Sequence, residues 1–368
     1  MNIVLIGGQN VPGIGGAEAY MFNLAKSLLK QNHKVTIICS DRNTFDTNVD
    51  GIDIVHKKCP KSNVLALPIL FFISLGYIFQ NRKEIDVVNY HAIYLAFIPG
   101  WIASLLGCKV FYTIHSFAED NPKHGGLLKF AMKLFSFISI WGCGKNLHTI
   151  SHSKADVIRK RFGKESTVIP CGINIVSKLE DTDILQRFGL EKGPYYLTIG
   201  RIDPIKNLDV LIKAFLKREN KDYHLVIAGD YNNTYGDYLR SLAQDDKHIH
   251  FVGMVMGNDK ETLLKNCFVN CLVSSNEGMP ISLLEAMVYA KPCIVTDIPA
   301  IREVVDNKWG YWCSVGNQNE IVNQMVMIEN DYDEALHRAG EMAEYVKKYH
   351  LWDSVAELYV NYLLSIYG

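Results

Sequence analysis

Two short segments hold the residues best suited to chemistry. Gly200-Arg201-Ile202-Asp203-Pro204-Ile205-Lys206-Asn207 follows the apolar run Tyr195 to Ile199 and precedes a helical pattern. It reads as a βα loop that projects two cations at the carboxyl edge of a parallel sheet, where open α/β sheets bind ligands. Arginine offers a planar fork to diphosphate oxygens and lysine a compact point charge. Together they would offset negative charge growing on a departing diphosphate. The alternative is two solvated surface cations, although positive charge beside a helix start is unfavourable unless an anion joins it. In the second segment, SSNEGMPISLLEAMVYAKPCIVTD, Glu277 lies in a loop and Glu285 follows eight residues on, within a helix. Carboxylates accept well from polyol hydroxyls, so Glu277 suits a sugar and Glu285 a ribose, with the helix start between them facing phosphate. At this spacing a capping acid and an exposed helical acid would look the same.

A third segment, GGQNVPGIGGAEAY, supplies Gly13, Gly15 and Gly16 directly before a helix. Glycines there let backbone N–H groups approach an anion at the positive helix end. The GxGxxG dinucleotide fingerprint is the alternative, but its spacing does not match and the loop is longer than a tight βα turn. No nucleophile with a paired base is visible. Asp181/Asp183 and Asp331/Asp333 form Asp-x-Asp pairs in polar stretches away from strand ends. They read as chance matches, so neither a metal nor another cofactor is expected.

These loops need strands and helices to hold them. Asn2 to Gly7, the helically spaced Met21, Leu24, Ala25, Leu28 and Leu29, and Lys34 to Cys39 form a βαβ unit. Further strands are predicted at Val87 to Tyr90, Val110 to Ile114, Leu147 to Ile150 and Ser166 to Pro170. The polar stretch Ser177 to Gln186 breaks the pattern, and a second alternation opens at Tyr195. It continues through His224 to Gly229, Ile249 to Val252, Cys271 to Val273 and Cys293 to Thr296. The fold class is α/β with parallel doubly wound sheets. The chain of 368 residues suits two domains of about 180 residues each. A hydrophobic content of 48% and a net charge of -1 are globular values and give no electrostatic reason to expect nucleic acid. The nine cysteines form no CxxC pair and read as inert core thiols.

The segments GIGGAE, GRIDPIKN and EGMPISLLEAM, with Glu277 and Glu285 as E-x7-E, resemble the large glycosyltransferase family four. TIHSF at Thr113 to Phe117, SHSKAD at Ser151 to Asp156, VIPCGI at Val168 to Ile173 and a closing Trp352 helix extend the resemblance, in order, over essentially the whole chain. The resemblance implies the GT-B fold, two Rossmann-like doubly wound domains facing across a cleft. Residues 1–175 would form the acceptor-side domain and 176–345 the nucleotide-sugar domain, with a C-terminal helix, 346–368, crossing back to the first. It implies a retaining transfer, metal-independent, from a nucleotide diphosphate sugar, with UDP the commonest nucleotide. The expected acceptor, a glycan or a lipid-linked carrier in surface polysaccharide synthesis, is read instead from the apolar segment Leu127 to Trp141. Carried over residue by residue, the resemblance puts Arg201, Lys206 and the Gly16 amide on the donor diphosphate, Glu277 on the sugar and Glu285 on the ribose. His115 would face the sugar, and the backbone of Met254 and Val255 the base. Gly15, Ser116 and Lys123 fall on the acceptor side. Gly278 falls on the donor as well, but many relatives read EGFG where this chain has Pro280, which lacks an N–H, so the donor contacts expected there fall on Met279, Ile281 or Ser282. Cys171 replaces the asparagine of VIPNG, a change expected to be tolerated. A nucleotide-sugar epimerase, a phosphorylase or a catalytically silent binding subunit on the same fold are the competing readings.

Two apolar runs remain. Val64 to Phe79, 16 residues interrupted by Pro68 and Gly76, falls short of the ~20 needed to span a bilayer and reads as a buried helix. Leu127 to Trp141 carries Lys129 and Lys133, four apart and so on one side of a helix. It is either a core helix with snorkelling lysines or a monotopic contact whose phenylalanines enter a membrane interface. The start, MNIVLIGG, lacks a basic n-region, so a cytoplasmic enzyme at the inner face of the cell membrane is expected.

Overall fold

Asn2–Gln9 is buried along nearly its whole length, as a parallel strand covered on both faces must be. The same holds for most of the apolar runs singled out above. The computed structural model describes the chain apart from residues 14–15, 42–45, 61–62, 92–93, 116, 118–125, 177–179, 181, 221, 245 and 368. Two compact units emerge, Met1–Gly172 with Trp352–Gly368, and Ile173–Leu351.

In the first unit β1 (Asn2–Gln9), α1 (Gly16–Lys30), β2 (Lys34–Asp41), β3 (Thr47–Val49) and β4 (Ile52–Lys58) are followed by α2 (Asn63–Asn81) and β5 (Val87–Tyr90). Then come α3 (Phe97–Leu105), β6 (Lys109–Ile114), α4 (Gly126–Gly142), β7 (Leu147–Thr149), α5 (His152–Phe162) and β8 (Thr167–Val168). The sheet order is β3-β4-β2-β1-β5-β6-β7-β8, with only β3 antiparallel to its neighbour. The order in which strands are added to the sheet therefore reverses between β1 and β5. Right-handed crossovers put α2, α3 and α4 on one face and α1 on the other.

The second unit runs through α6 (Ile184–Arg187), β9 (Tyr195–Ile199), α7 (Leu208–Lys217), β10 (His224–Ala228), α8 (Thr234–Ala243), β11 (Ile249–Gly253) and α9 (Gly257–Asn266). It continues through β12 (Val269–Leu272), α10 (Ile281–Met287), β13 (Cys293–Thr296), α11 (Pro299–Arg302), β14 (Tyr311–Cys313), α12 (Gln318–Asn330) and α13 (Tyr332–Tyr349). Its all-parallel sheet has the order β11-β10-β9-β12-β13-β14, reversing between β9 and β12.

The last helix, α14 (Trp352–Tyr367), returns to the first unit as the resemblance implies, but it starts later than residue 346. Ile173 donates to the His350 carbonyl at 2.7 Å and bridges Leu351, so the chain stays with the second unit to that point. Trp352 then lies against Gly172, where any Cβ would collide with the indole. Val355, Ala356, Tyr359 and Leu363 are buried along the same stripe. On α1, Ser27 and Lys30 donate to the Asp353 carboxylate at 2.7 and 3.1 Å. All nine thiols are free, and burial pushes Cys267 and Cys313 up to about 12, which keeps them protonated.

Both apolar runs are exposed in part, which departs from the buried helix expected for the first and matches one of the two alternatives for the second. α2 is only half buried: Leu70, Phe71 and Ile78 pack inward while Leu65, Phe72 and Phe79 are exposed. A helix apolar on all sides has more such surface than one sheet face can cover. In α4 the usual order is reversed, with Ser136 and Ser139 buried and Phe130, Leu134 and Phe137 exposed. No helix among the described residues is long and apolar enough to cross a membrane.

Candidate active site

The loop after β9 is built to present a lysine. Asp203 caps a single 3-10 turn, Pro204–Lys206, by accepting from the Ile205 N–H at 3.1 Å. Asn207 then takes a left-handed conformation, φ 51°, that ends the turn and starts α7. Its amide donates to the Val273 carbonyl at 3.0 Å, while Ser275 N–H and Oγ both donate to the Ile205 carbonyl, at 2.7 and 3.1 Å. The loops after β9 and β12 are thereby tied together where the sheet reverses. Gly229, at the end of β10, comes so close that a Cβ would fall on the Gly200 carbonyl.

This stitching brings Lys206 Nζ to 2.6 Å from Glu277 Oε1, and Ser274 Oγ donates to the same oxygen at 2.6 Å. Both charged side chains are largely buried, 14% and 11% exposed. Glu277 thus does not cap a helix, and Lys206 is not a solvated surface cation. Loss of either would strand the other's charge away from water. Arg201 stands exposed on the same loop, and among the described residues no carboxylate pairs with it. A pocket lined by Gly200, Arg201, Lys206, Val273 and Ser274 opens here. Strand reversals of this kind are where open α/β sheets hold ligands.

Glu285, on α10, is half-buried and accepts from Lys260 Nζ at 2.8 Å. Burial pushes its carboxyl above the usual range, and Lys260 pulls it part of the way back. Burial lowers Lys260 in turn, but Glu285 and Glu261 more than restore it. Glu261 lies 3.5 Å from Lys260 and accepts from Tyr289 Oη at 2.6 Å. Lys260 belongs to no motif and went unnoticed in the sequence. The available sign was a lysine in the first turn of a helix, unfavourable against the dipole unless a carboxylate meets it.

Pro280 is buried at the head of α10. Of the positions expected to replace its missing donor, Ile281 has its N–H directed onto the Met279 carbonyl at 2.9 Å. Met279 leans on the core, whereas Gly278 is exposed and Ser282 half-buried in the first turn. Met254 is exposed after β11, an edge strand, and Val255 packs on the core.

In the first unit Gly16 opens α1, with open space where a Cβ would stand. Gly15, Ser116 and Lys123 lie outside the described residues. His115 follows β6 directly, its Nε2 3.0 Å from Nδ1 of His91, which follows β5. Burial holds His115 down to about 4 and His91 well below its ordinary value, so the pair stays neutral near pH 7. His91 was not foreseen, although both strands end in histidine, in VVNYH and FYTIH. Asp331 caps α13 by accepting from the Glu334 N–H at 3.1 Å, and Asp183 faces Arg187 at 3.7 Å. Asp181 is outside the described residues. Among the described residues no three His, Cys, Asp or Glu side chains converge as metal ligands.

Two family patterns match this chain, one described as Glycosyltransferase Family 4 over residues 14–176 and one as Glycosyl transferases group 1 over 181–348. The chain is 23% identical to an Escherichia coli UDP-Gal:alpha-D-GlcNAc-diphosphoundecaprenol alpha-1,3-galactosyltransferase, covering 88% of this chain and 87% of that protein. It is 31% identical to a Salmonella typhimurium O-antigen chain mannosyltransferase over 53% of this chain and 54% of the other. Among solved structures, Anabaena Alr3699/HepE in complex with UDP superimposes with a TM-score of 0.77 at 17% identity, covering 99% of this chain and 100% of that one.

Proposed function

The chain is a glycosyltransferase of family four, group 1 type, with the GT-B fold, and from that premise we propose that it moves a sugar from UDP to a glycan or lipid-linked acceptor with retention at the anomeric carbon. The observation that carries this reading is the Lys206–Glu277 pair at the strand reversal. It puts a phosphate-binding cation and a hydroxyl-binding carboxylate within one hydrogen bond of each other. A donor's diphosphate and sugar are separated by a single glycosidic oxygen, so one compact ligand can meet both.

In this mechanism Lys206 and Arg201 hold the diphosphate, and Glu277 Oε2 accepts from a sugar hydroxyl while Oε1 keeps Lys206 in place. The bond from the anomeric carbon to the phosphate oxygen breaks, and the acceptor oxygen bonds to that carbon on the same face. The acceptor's proton passes to the departing phosphate oxygen, so no protein nucleophile takes part. The two cations offset the charge growing on the leaving group, and no divalent ion is required for that task. Glu285 takes the ribose. UDP as the nucleotide and a lipid diphosphate as acceptor are supported by the galactosyltransferase relative, whose name states both, and by the UDP complex of HepE.

Thermal unfolding against a panel of nucleotide sugars tests the donor. A UDP-sugar at about 100 times its Kd should stabilise by roughly 2.7 kcal/mol. Equal shifts from ADP-, GDP- and UDP-sugars would remove the preference for UDP. Turnover should persist in EDTA, and its restoration only by manganese or magnesium would overturn the metal-free mechanism.

A further inference from the structure

On the first unit, α2 packs on α3 and α3 on α4, with the Trp101 N–H donating to the Gly142 carbonyl at 2.9 Å. Among the described side chains, the outer surface of these three helices is mostly apolar. Leu105 is 89% exposed and Phe130 68%, and Leu65, Phe79, Trp101 and Trp141 are each more than half exposed. Contiguous apolar surface of this extent is uncommon on a free-standing domain and marks something that covers it. The buried serines of α4 strengthen the point, because core packing alone would have turned its phenylalanines inward.

Charge decides what the cover is. The segments Asn63–Asn81, Phe97–Leu105 and Gly126–Gly142 contain no aspartate or glutamate, and their charges are Lys129 and Lys133. Exposed Arg82 and Lys83 follow α2, next to an exposed Glu84 that faces Lys34 at 3.8 Å, and exposed Lys145 follows α4. Lys164 sits 4.5 Å from the Trp141 ring centroid. Helices that carry tryptophans, exposed apolar side chains and lysines but no acid of their own fit the headgroup boundary of an anionic bilayer.

We propose that the α2-α3-α4 face docks the first unit on the surface of a membrane containing anionic lipid, with aromatic and leucine side chains in the interface and the lysines on headgroups. The inference extends the reading of a lipid-linked acceptor, since such an acceptor is met only at a membrane.

The full chain is sedimented, without donor or acceptor, with vesicles of phosphatidylcholine alone or mixed with phosphatidylglycerol. Binding is expected to the mixed vesicles at low salt, weakening at about 0.5 M salt, where the Debye length shrinks to a few Å. Lys133→Glu should weaken it, and Leu105→Ser with Phe130→Ser should weaken it by about tenfold or more, given the apolar area removed. Both altered apolar residues are exposed, so Tm and the nucleotide-induced thermal shift should stay at wild-type values. No binding to mixed vesicles at low salt, or equal binding by the double variant, overturns the proposal. So does a wild-type dimer in solution that the double variant converts to monomer, because the face then belongs to a second copy. Since the nucleotide shift is read separately, failure of membrane docking leaves the donor assignment standing, and failure of the donor assignment leaves docking intact.

Discussion

Arg201 and Lys206 leave the same loop but live in different surroundings, and their substitutions should differ accordingly. Arg201→Ala is expected to lower turnover by roughly 10²-fold, as loss of a preorganised charge-stabilising donor does, with Tm unchanged. Lys206→Ala should lower turnover at least as much and also lower Tm by a few degrees, because Glu277 is left largely buried without its cation. Steady-state rates and calorimetric melting of the two variants separate these outcomes, and an unchanged rate in either removes that residue from the leaving-group role. The acids divide in a parallel way. Glu277→Ala frees Lys206 and should spare or tighten free UDP while weakening the intact nucleotide sugar, whereas Glu285→Ala should weaken UDP itself. Equal losses of UDP affinity by titration calorimetry would end that division of labour. The four motif residues were legible because each sits in a short segment whose spacing advertises a loop at a strand end. Lys260 and His91 were not, since each meets its partner across more than twenty intervening residues, and sheet order alone brings them together.

Strand ends β5, β6 and β7 bring together His91, His115 and His148, a feature with a pH consequence. Burial lowers all three, His115 to about 4 and His148 to about 3 from an ordinary 6.5, with His91 also far below. The unfolded chain then binds more protons than the folded one below pH 6.5, so stability is complete above that pH and declines as pH falls towards 4 and then 3. Melting curves between pH 7.5 and 5 should show a falling Tm, and a flat profile across that range would mean that these rings are already charged or solvated in the fold. Nearby, Thr113 donates to Asn89 Oδ1 at 2.9 Å and Asn89 donates to Tyr359 Oη at 3.0 Å, so the same strands carry the polar anchor of α14. The strands and their order of appearance could be read from apolar runs and turn residues. The orientation of α2 and α4 could not, because a segment apolar on every side has no periodicity to say which side is inward. The two serines of α4 were the one sign, and their meaning depends on what lies beneath them.

Two units share one polypeptide unequally, since the first is completed by a helix that follows the second. Removing Trp352–Gly368 uncovers Trp352's neighbours, the α1 surface and the Asn89 network. At roughly 1.5–3 kcal/mol per large buried side chain, losing Trp352, Val355, Tyr359 and Leu363 rivals the ~5–15 kcal/mol that hold a domain together. Such a truncation is expected to leave a protease-resistant fragment from the second unit only, and a first unit equally resistant after truncation would show that α14 is dispensable. Two domains were visible as two alternations of strands and helices and the returning helix was implied by the family resemblance, but the handover at Leu351 rests on one backbone bond that no pattern announces.

The position of α14 also fixes an order of events during synthesis. A ribosome delivers the first sheet well before the helix that must cover its Asn89 side, and all of Ile173–Leu351 emerges in between. The half translated first is therefore the half finished last. Until Trp352 reaches Gly172, the nascent first sheet carries uncovered apolar surface, the kind that chaperones hold and that aggregates when they do not.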